Sequence, residues 1–141
     1  MISKVIYKGE LRTEATHLKS GSTIITDAPI DNQGKGEAFS PTDLIATSLA
    51  SCMLTIMGIK AKEMNLKIDG TSAKIEKIMT SQPRKIAQIN IMINVPTPAD
   101  EKTKNIIERV ARTCPVEMSL STDIKREIKF QWPSLVNYKV Y

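Results

Sequence analysis

Alternating apolar and polar residues predict five β-strands in the chain. Such alternation places one side of a strand against a core and the other side in solvent. The runs cover residues 4–17, a short stretch after the turn at Ser20-Gly21, and residues 71–80, 87–95 and 124–132. The turn-forming sequence SQPRK separates the third and fourth runs, so these two are expected to form an antiparallel hairpin.

The longest apolar stretch predicts a helix from Pro41 to Met64. Ser40 and Asp43 have the spacing of a capping box, and proline suits the first helical position. At a rise of 1.5 Å per residue, this helix would be about 36 Å long. Its middle is apolar nearly all round, which is typical of a helix buried on most sides. We therefore expect it at the centre of the fold.

Two shorter helices are predicted in the second half of the chain. The sequence TPAD, residues 97–100, precedes an amphipathic helix that should end near Arg112, ahead of Pro115. A short helix, PVEMSLS, should begin just after Cys114. The final segment, PSLVNYKVY, is apolar enough to dock on a second subunit.

The order of these elements predicts the fold class. Strands and helices do not alternate strictly, which favours an α+β fold with a mainly antiparallel sheet around the long buried central helix. The chain has no internal repeat and no linker-like stretch, so a single domain is expected over residues 1–141.

Composition and charge narrow the class of protein. A 141-residue chain with 41% hydrophobic residues can build one ordinary core. The net charge is +5, but basic and acidic residues alternate and no basic run stands out, so we expect no nucleic-acid partner. The N-terminus lacks the apolar stretch of a signal peptide, and the apolar run within residues 44–60 is short for a membrane span. A cytoplasmic protein without a membrane partner is predicted.

Two cysteines carry the candidate chemistry. Cys52 lies in the apolar body of the long helix, where a thiol packs like a small hydrophobe and needs a positive neighbour to react. Cys114 lies at the cap of the short helix, where backbone N–H groups and the helix dipole favour a thiolate. No C-x-x-C motif is present, and spacing alone leaves open both two inert cysteines and a reactive pair.

Metal and cofactor chemistry finds little support in the sequence. His17 is the single histidine, so a zinc site would need it together with both cysteines, without any local pair of ligands. The glycines of NQGKGEAF lack the spacing of a phosphate loop, and no Ser-His-Asp arrangement is visible. We expect neither a metal nor a cofactor.

The segment FSPTDLIATSLASCMLTIMGIKAKEMNLKIDG resembles the central segment of the OsmC/Ohr family, the osmotically inducible and organic-hydroperoxide-resistance proteins. Leu44 and Cys52 have that family's eight-residue spacing, and RTCPVEM supplies its second hallmark with Cys114 and Pro115. The resemblance implies the OsmC-like fold and an intertwined homodimer with active sites at the subunit interface.

The resemblance also implies a reaction. Cys52 would attack an organic hydroperoxide and become a sulfenic acid, and Cys114 would condense with it to a disulfide. A dithiol reductant such as dihydrolipoamide would reset the pair. A methionine-lined pocket would suit an alkyl or lipid hydroperoxide, and Met53, Met57 and Met118 are its candidates.

One departure concerns the activation of the thiol. The peroxidases of the family pair an arginine with a glutamate at the thiolate, but Thr42 stands where that glutamate is expected, with Asp43 as the nearest acid. The candidate cations are Arg12, on the exposed parity of the first strand, and Arg126, on the apolar parity of the last strand. For Arg126, a residue at the sheet end that reaches solvent is the simpler interpretation.

Three hypotheses remain open. The first is a thiol-dependent peroxidase that reduces organic hydroperoxides by the two-cysteine route. The second is a redox-sensing or apolar-ligand-binding module without efficient turnover, and the third is a structural dimer with inert cysteines. Both cysteines occupy the family positions, which favours the peroxidase.

Overall fold

A computed structural model describes residues 1–135 of the chain. The chain divides into two compact units, one ending at Ile45 and the other beginning at Ala46. The single-domain organisation therefore stays a prediction. Most of the final segment that was predicted to dock on a second subunit lies outside the described residues.

The first unit contains a three-stranded antiparallel sheet in the order β1-β2-β3. Its strands are β1 (Ser3–Gly9), β2 (Arg12–His17) and β3 (Thr23–Asp27), followed by a single 3-10 turn at Ile30–Asn32. Several apolar side chains stay at the surface of this sheet, and Val5, Tyr7 and Ile24 are each more than half exposed. The sheet therefore covers little of its own apolar surface.

The prediction of one strand over residues 4–17 is wrong, because the chain reverses at its middle. Gly9, Glu10 and Leu11 have positive φ angles of 87°, 52° and 63°. A tight turn between twisted strands requires such angles, and glycine and asparagine adopt them most readily. Glu10 and Leu11 are not typical turn residues, so the continuous alternation concealed the hairpin.

The long helix α1 (Pro41–Glu63) ends one residue before its predicted end. Its start is fixed by the predicted capping box. The backbone N–H of Ser40 donates to Asp43 Oδ2 at 2.9 Å, and the backbone N–H of Asp43 donates to Ser40 Oγ at 3.0 Å. Two backbone donors that a helix end leaves without partners are thereby satisfied.

In the described chain α1 buries one face, so the expectation of burial on most sides is wrong there. The buried residues recur at helical spacing: Ala46, Leu49, Ala50, Met53, Met57 and Ala61. Ile59, on another side, is 54% exposed. By length and composition alone α1 could cross a membrane, but a buried core helix passes the same test and a third of its most apolar window is buried.

The second unit contains a sheet in the order β4-β5-β6 beside two further helices. Its elements are β4 (Ser72–Ser81), β5 (Arg84–Asn94), α2 (Glu101–Ala111), α3 (Pro115–Ser119) and β6 (Lys125–Gln131). The predicted antiparallel hairpin of β4 and β5 is confirmed, whereas β6 pairs with β5 in parallel. A parallel pair needs a crossover connection, and the segment with α2 and α3 provides it. The α+β class with mainly antiparallel strands is confirmed.

The core of the second unit forms around β5. Ile89, Ile91 and Ile93 are at most 2% exposed and belong to the same hydrophobic cluster as the buried face of α1. Asp100 caps α2 by accepting the backbone N–H of Thr103 at 2.7 Å. Cys114 belongs to this cluster, and Cys52 packs against it.

Candidate active site

Cys114 is the N-cap residue of α3, as its position before Pro115 predicts. Its Sγ accepts the backbone N–H of Glu117 at 3.4 Å, and its extended backbone turns into the helix at Pro115. The side chain is completely buried. The sulfur thus replaces the hydroxyl or carboxylate oxygen that usually caps a helix.

The structure brings Cys52 and Cys114 together. They lie 62 positions apart in the sequence, on α1 and at the start of α3. They are close enough for Cys52 to raise the pKa of Cys114, and both are free thiols. Cys52 is half-buried, whereas Cys114 has no exposed surface. A pair of this kind can be oxidised to a disulfide that bridges α1 and α3.

The surroundings of Cys114 favour the neutral thiol. Burial raises the pKa of Cys114, and the hydrogen bond and charge of Cys52 raise it further. The backbone N–H groups of Glu117 and Val116 act in the opposite direction but do not outweigh burial. The expectation that the helix end would favour a thiolate here is therefore wrong in its net direction, because loss of solvent outweighs a single short helix end.

Arg126 lies on the partly buried side of β6 and binds Glu117 instead of reaching solvent at the sheet end. Its Nε donates to Glu117 Oε2 at 3.0 Å, and the two side chains are 14% and 23% exposed. The guanidinium also donates to the backbone carbonyls of Glu117, Ser121 and Ile124. These contacts direct the charge of Arg126 to α3 and the turn after it, so they do not support the predicted role of a cation for Cys52.

Arg12, in the first unit, forms a second partly buried ion pair. Its guanidinium binds both carboxylate oxygens of Asp27 at 2.7 and 2.8 Å and contacts Glu37 at 3.2 Å. Asp27 is 1% exposed. The hydrogen bond from Arg12 lowers the pKa of Asp27, and Asp27 in turn raises that of Arg12. Sequence reasoning missed Asp27 and Glu37, although Arg12 and Asp27 are directly opposite in the β2–β3 register.

Asp43 and Thr42 take part in the start of α1. Asp43 accepts the Ser40 N–H as the capping partner, and the Thr42 hydroxyl lies 3.2 Å from Ser40 Oγ. The more economical interpretation of Asp43, helix capping, is therefore the one its geometry supports.

The three candidate pocket methionines lie in different environments. Met53 and Met57 are 1% and 0% exposed and belong to the hydrophobic core, whereas Met118 on α3 is 72% exposed. They therefore do not share one open cavity in the described chain, and their role in binding a substrate stays a prediction. Among the described residues, no three His, Cys, Asp or Glu side chains are grouped so that they could hold a metal ion.

A family model for OsmC-like proteins matches residues 34–129. The chain belongs to the OsmC/Ohr family. The matched segment includes both cysteines and Arg126, so the two motifs that carry the resemblance are part of the match.

Solved structures of OsmC-like proteins agree with this assignment. A candidate osmotic stress induced and detoxification response protein from Psychrobacter arcticus is 53% identical, with a TM-score of 0.90, over 93% of this chain and 96% of that one. The organic hydroperoxide resistance protein OsmC of Legionella pneumophila is 14% identical with a TM-score of 0.73, over 92% and 94% of the two chains. OhrB of Bacillus subtilis is 18% identical with a TM-score of 0.64, over 93% and 98%. These last two show the OsmC-like fold. No curated protein matches the chain.

Proposed function

We propose that this OsmC-like protein is a thiol-dependent peroxidase that reduces organic hydroperoxides with Cys52 and Cys114. The observation that carries the proposal is the proximity of these two cysteines: Cys52 packs against the core cluster that contains Cys114 and raises the pKa of its thiol. A protein that only binds a ligand needs neither cysteine, and a packing role does not require the two cysteines to lie near each other. The names of the Legionella and Bacillus proteins refer to organic hydroperoxide resistance, which agrees with this class of substrate.

The proposed reaction oxidises the cysteine pair by two electrons and then reduces it by two electrons. The Cys52 thiolate attacks the terminal oxygen of the hydroperoxide, the O–O bond breaks, and the alkoxide leaves as the alcohol after taking a proton. Cys52 is then a sulfenic acid. The Cys114 sulfur attacks the Cys52 sulfur, water leaves, and a disulfide forms. A dithiol such as dihydrolipoamide reduces this disulfide and becomes a cyclic disulfide itself.

The two thiols are suited to different steps. Cys52 is partly exposed, so a hydroperoxide can reach it, whereas Cys114 is buried and its raised pKa keeps it protonated. A protonated, buried thiol is a poor competitor for the first attack. This supports the order in which Cys52 is oxidised first and Cys114 resolves the sulfenic acid.

A second candidate is a redox-sensing or apolar-ligand-binding module without efficient turnover. Two observations favour it. Arg12 and Arg126 donate hydrogen bonds to carboxylates and backbone carbonyls, and these contacts do not direct their charges to Cys52. The first unit also contains an apolar groove of about 560 Å³ lined by Ile24, Ile25 and Phe39.

We also propose a cytoplasmic homodimer with its active sites at the subunit interface. Apolar residues are exposed on the first sheet and on one side of α1, including Ile59. A second copy of the chain that packs against these surfaces would bury them. Light scattering after size-exclusion chromatography should give twice the chain mass of 15.7 kDa. A monomer at micromolar concentration would contradict this part of the proposal.

One experiment tests the peroxidase proposal. The reduced protein is treated with one equivalent of cumene hydroperoxide, the free thiols are titrated, and the disulfide is located by mass spectrometry. We expect rapid loss of both thiols, no loss in Cys52→Ser, and a dimedone-trappable sulfenic acid on Cys52 in Cys114→Ser. Thiols that stay unchanged for minutes would overturn the proposal.

Turnover separates the two candidate functions. With dihydrolipoamide in excess, a peroxidase consumes many equivalents of hydroperoxide per protein chain. A sensor or binding module consumes about one equivalent of hydroperoxide and then stops, because dihydrolipoamide does not rapidly reduce its disulfide.

A further inference from the structure

The short helix α3 needs support from outside itself. It has five residues, Pro115–Ser119, and a helix of that length is unstable alone because nucleation is costly and few bonds repay it. The N-cap residue of α3 is Cys114, whose thiol lies near Cys52. Whatever holds α3 in place therefore also controls where the Cys114 sulfur lies.

The Arg126 guanidinium provides that support. It donates to the Glu117 carboxylate at 3.0 Å, to the carbonyl of Glu117 at 3.3 Å and to that of Ser121 at 2.9 Å, with a further bond to the carbonyl of Ile124. A planar guanidinium with five donors can bind several acceptors at fixed angles, which an ammonium group cannot do. One side chain thus joins the end of α3 to the turn that follows it.

Arg126 is itself held by the sheet. It lies near the start of β6, opposite Ile89 of β5, and Ile89 is completely buried. At the other end of the chain of contacts, the backbone N–H of Glu117 donates to Cys114 Sγ at 3.4 Å. The contacts therefore run from the rigid sheet through Arg126 and Glu117 to the sulfur.

We propose that Arg126 is a positioning residue, which holds Cys114 in place for disulfide formation with Cys52. This inference rests on the proposed function and assigns Arg126 to the second step, rather than to activation of Cys52. Two reacting groups that are held in the correct geometry react faster than groups that must find each other by diffusion. A misplacement of about 1 Å can slow such a reaction roughly 100-fold.

The test compares the two steps separately in Arg126→Met and Arg126→Lys. After one equivalent of cumene hydroperoxide, quenched samples are analysed by mass spectrometry for the sulfenic acid and for the disulfide. We expect oxidation of Cys52 at the wild-type rate and disulfide formation slowed roughly 10- to 100-fold. Under excess hydroperoxide, sulfinic acid on Cys52 should accumulate, because the sulfenic acid lives longer. Lysine should restore little, since it lacks the fork of donors.

A matched control separates positioning from general loss of stability. Ile93→Val removes one methyl group from the buried core of β5, at the position opposite Phe130 rather than at Ile89, which lies opposite Arg126. It should lower the thermal midpoint while leaving the ratio of disulfide to sulfinic acid at the wild-type value. Glu117→Gln, which keeps the backbone contacts of Arg126 and removes one charge, should fall between wild type and Arg126→Met.

A second oxidant distinguishes failure of this inference from failure of the peroxidase function. Diamide forms the same disulfide without any hydroperoxide. The wild-type protein could fail to react with hydroperoxide and still form the disulfide with diamide faster than Arg126→Met does. The proposed peroxidase function would then be wrong, whereas the positioning role of Arg126 would be supported. If folded Arg126→Met closes the disulfide at the wild-type rate with diamide, the positioning role is wrong.

Discussion

Oxidation of the Cys52–Cys114 pair should raise the stability of this OsmC-like protein. The disulfide would join the middle of α1 to the start of α3 and close a loop of 62 positions. A crosslink of this kind restricts the unfolded chain far more than the folded one, in which the two sulfurs are already neighbours.

The size of the effect follows from the loop length. The chain-entropy relation gives about 4 kcal/mol at 25 °C for a loop of this length. Unfolding entropy of about 2.1 cal/mol/K per residue amounts to about 0.3 kcal/mol/K for the whole chain. The thermal midpoint should therefore rise by about 14 °C at most, and strain in the bridge would reduce this value.

The assay is thermal unfolding followed by circular dichroism at one fixed protein concentration, since association shifts the midpoint. Protein reduced with a phosphine is compared with protein oxidised by one equivalent of diamide, and intact mass confirms the loss of two hydrogens. Cys114→Ser is the matched control, because serine is itself a good N-cap and should retain α3. Equal or lower midpoints in the verified disulfide form would refute the reasoning.

Three further predictions concern single contacts. Arg12 lowers the pKa of Asp27, so the ion pair should stabilise the protein above the unfolded-state pKa of about 4. This contribution should be lost as pH falls through the lower pKa of the folded state. In urea titrations, the free energy of unfolding should therefore differ less between pH 7 and pH 3 in Asp27→Asn than in wild type. Ser40→Ala removes one half of the capping box and should lower the free energy of unfolding by about 1 kcal/mol, measured by urea titration, with the surface variant Ser119→Ala as a comparison. Because the pKa of Cys114 is raised in the folded state, its buried neutral thiol should stabilise the protein below the unfolded-state pKa of about 8.5. This stabilisation should be lost as pH rises through the higher pKa of the folded state. An equal loss of unfolding free energy at alkaline pH in reduced wild type and in Cys114→Ser would contradict this.

The parts of the fold that local sequence encodes were predictable. The capping box of Ser40 and Asp43 placed the start of α1, and the alternation over residues 87–95 placed β5. Both signals depend on neighbouring residues and on the geometric period of the element. The reversal after Gly9 was missed because a single glycine within an otherwise regular alternation is a weak turn signal, and Glu10 and Leu11 add none.

Features that depend on distant pairing could not be read from the sequence. Asp27 becomes a partner of Arg12 only after β2 and β3 align in one register. The burial of α1 was overestimated, because an apolar pattern shows which faces avoid water but not which of them the same chain covers. The apolar parity of Arg126 was visible, but it favoured an arginine at the sheet end that reaches solvent; the partly buried ion pair with Glu117 became apparent only in the fold.

The raised pKa of Cys114 at first looks unfavourable for a resolving thiol. Attack on a sulfenic acid needs a nucleophilic sulfur, and the attacking thiol works best with a pKa near the ambient pH. In the proposed reaction, the same burial that raises the pKa also keeps Cys114 from reacting with hydroperoxide, so Cys52 would be oxidised first. Nucleophilicity lost in this way can be offset by placement, since a fixed contact raises the effective concentration of one thiol at the other. The Arg126–Glu117 pair supplies that placement, and an OsmC-like protein with a buried Cys114 would therefore depend on it more than one with an exposed resolving thiol.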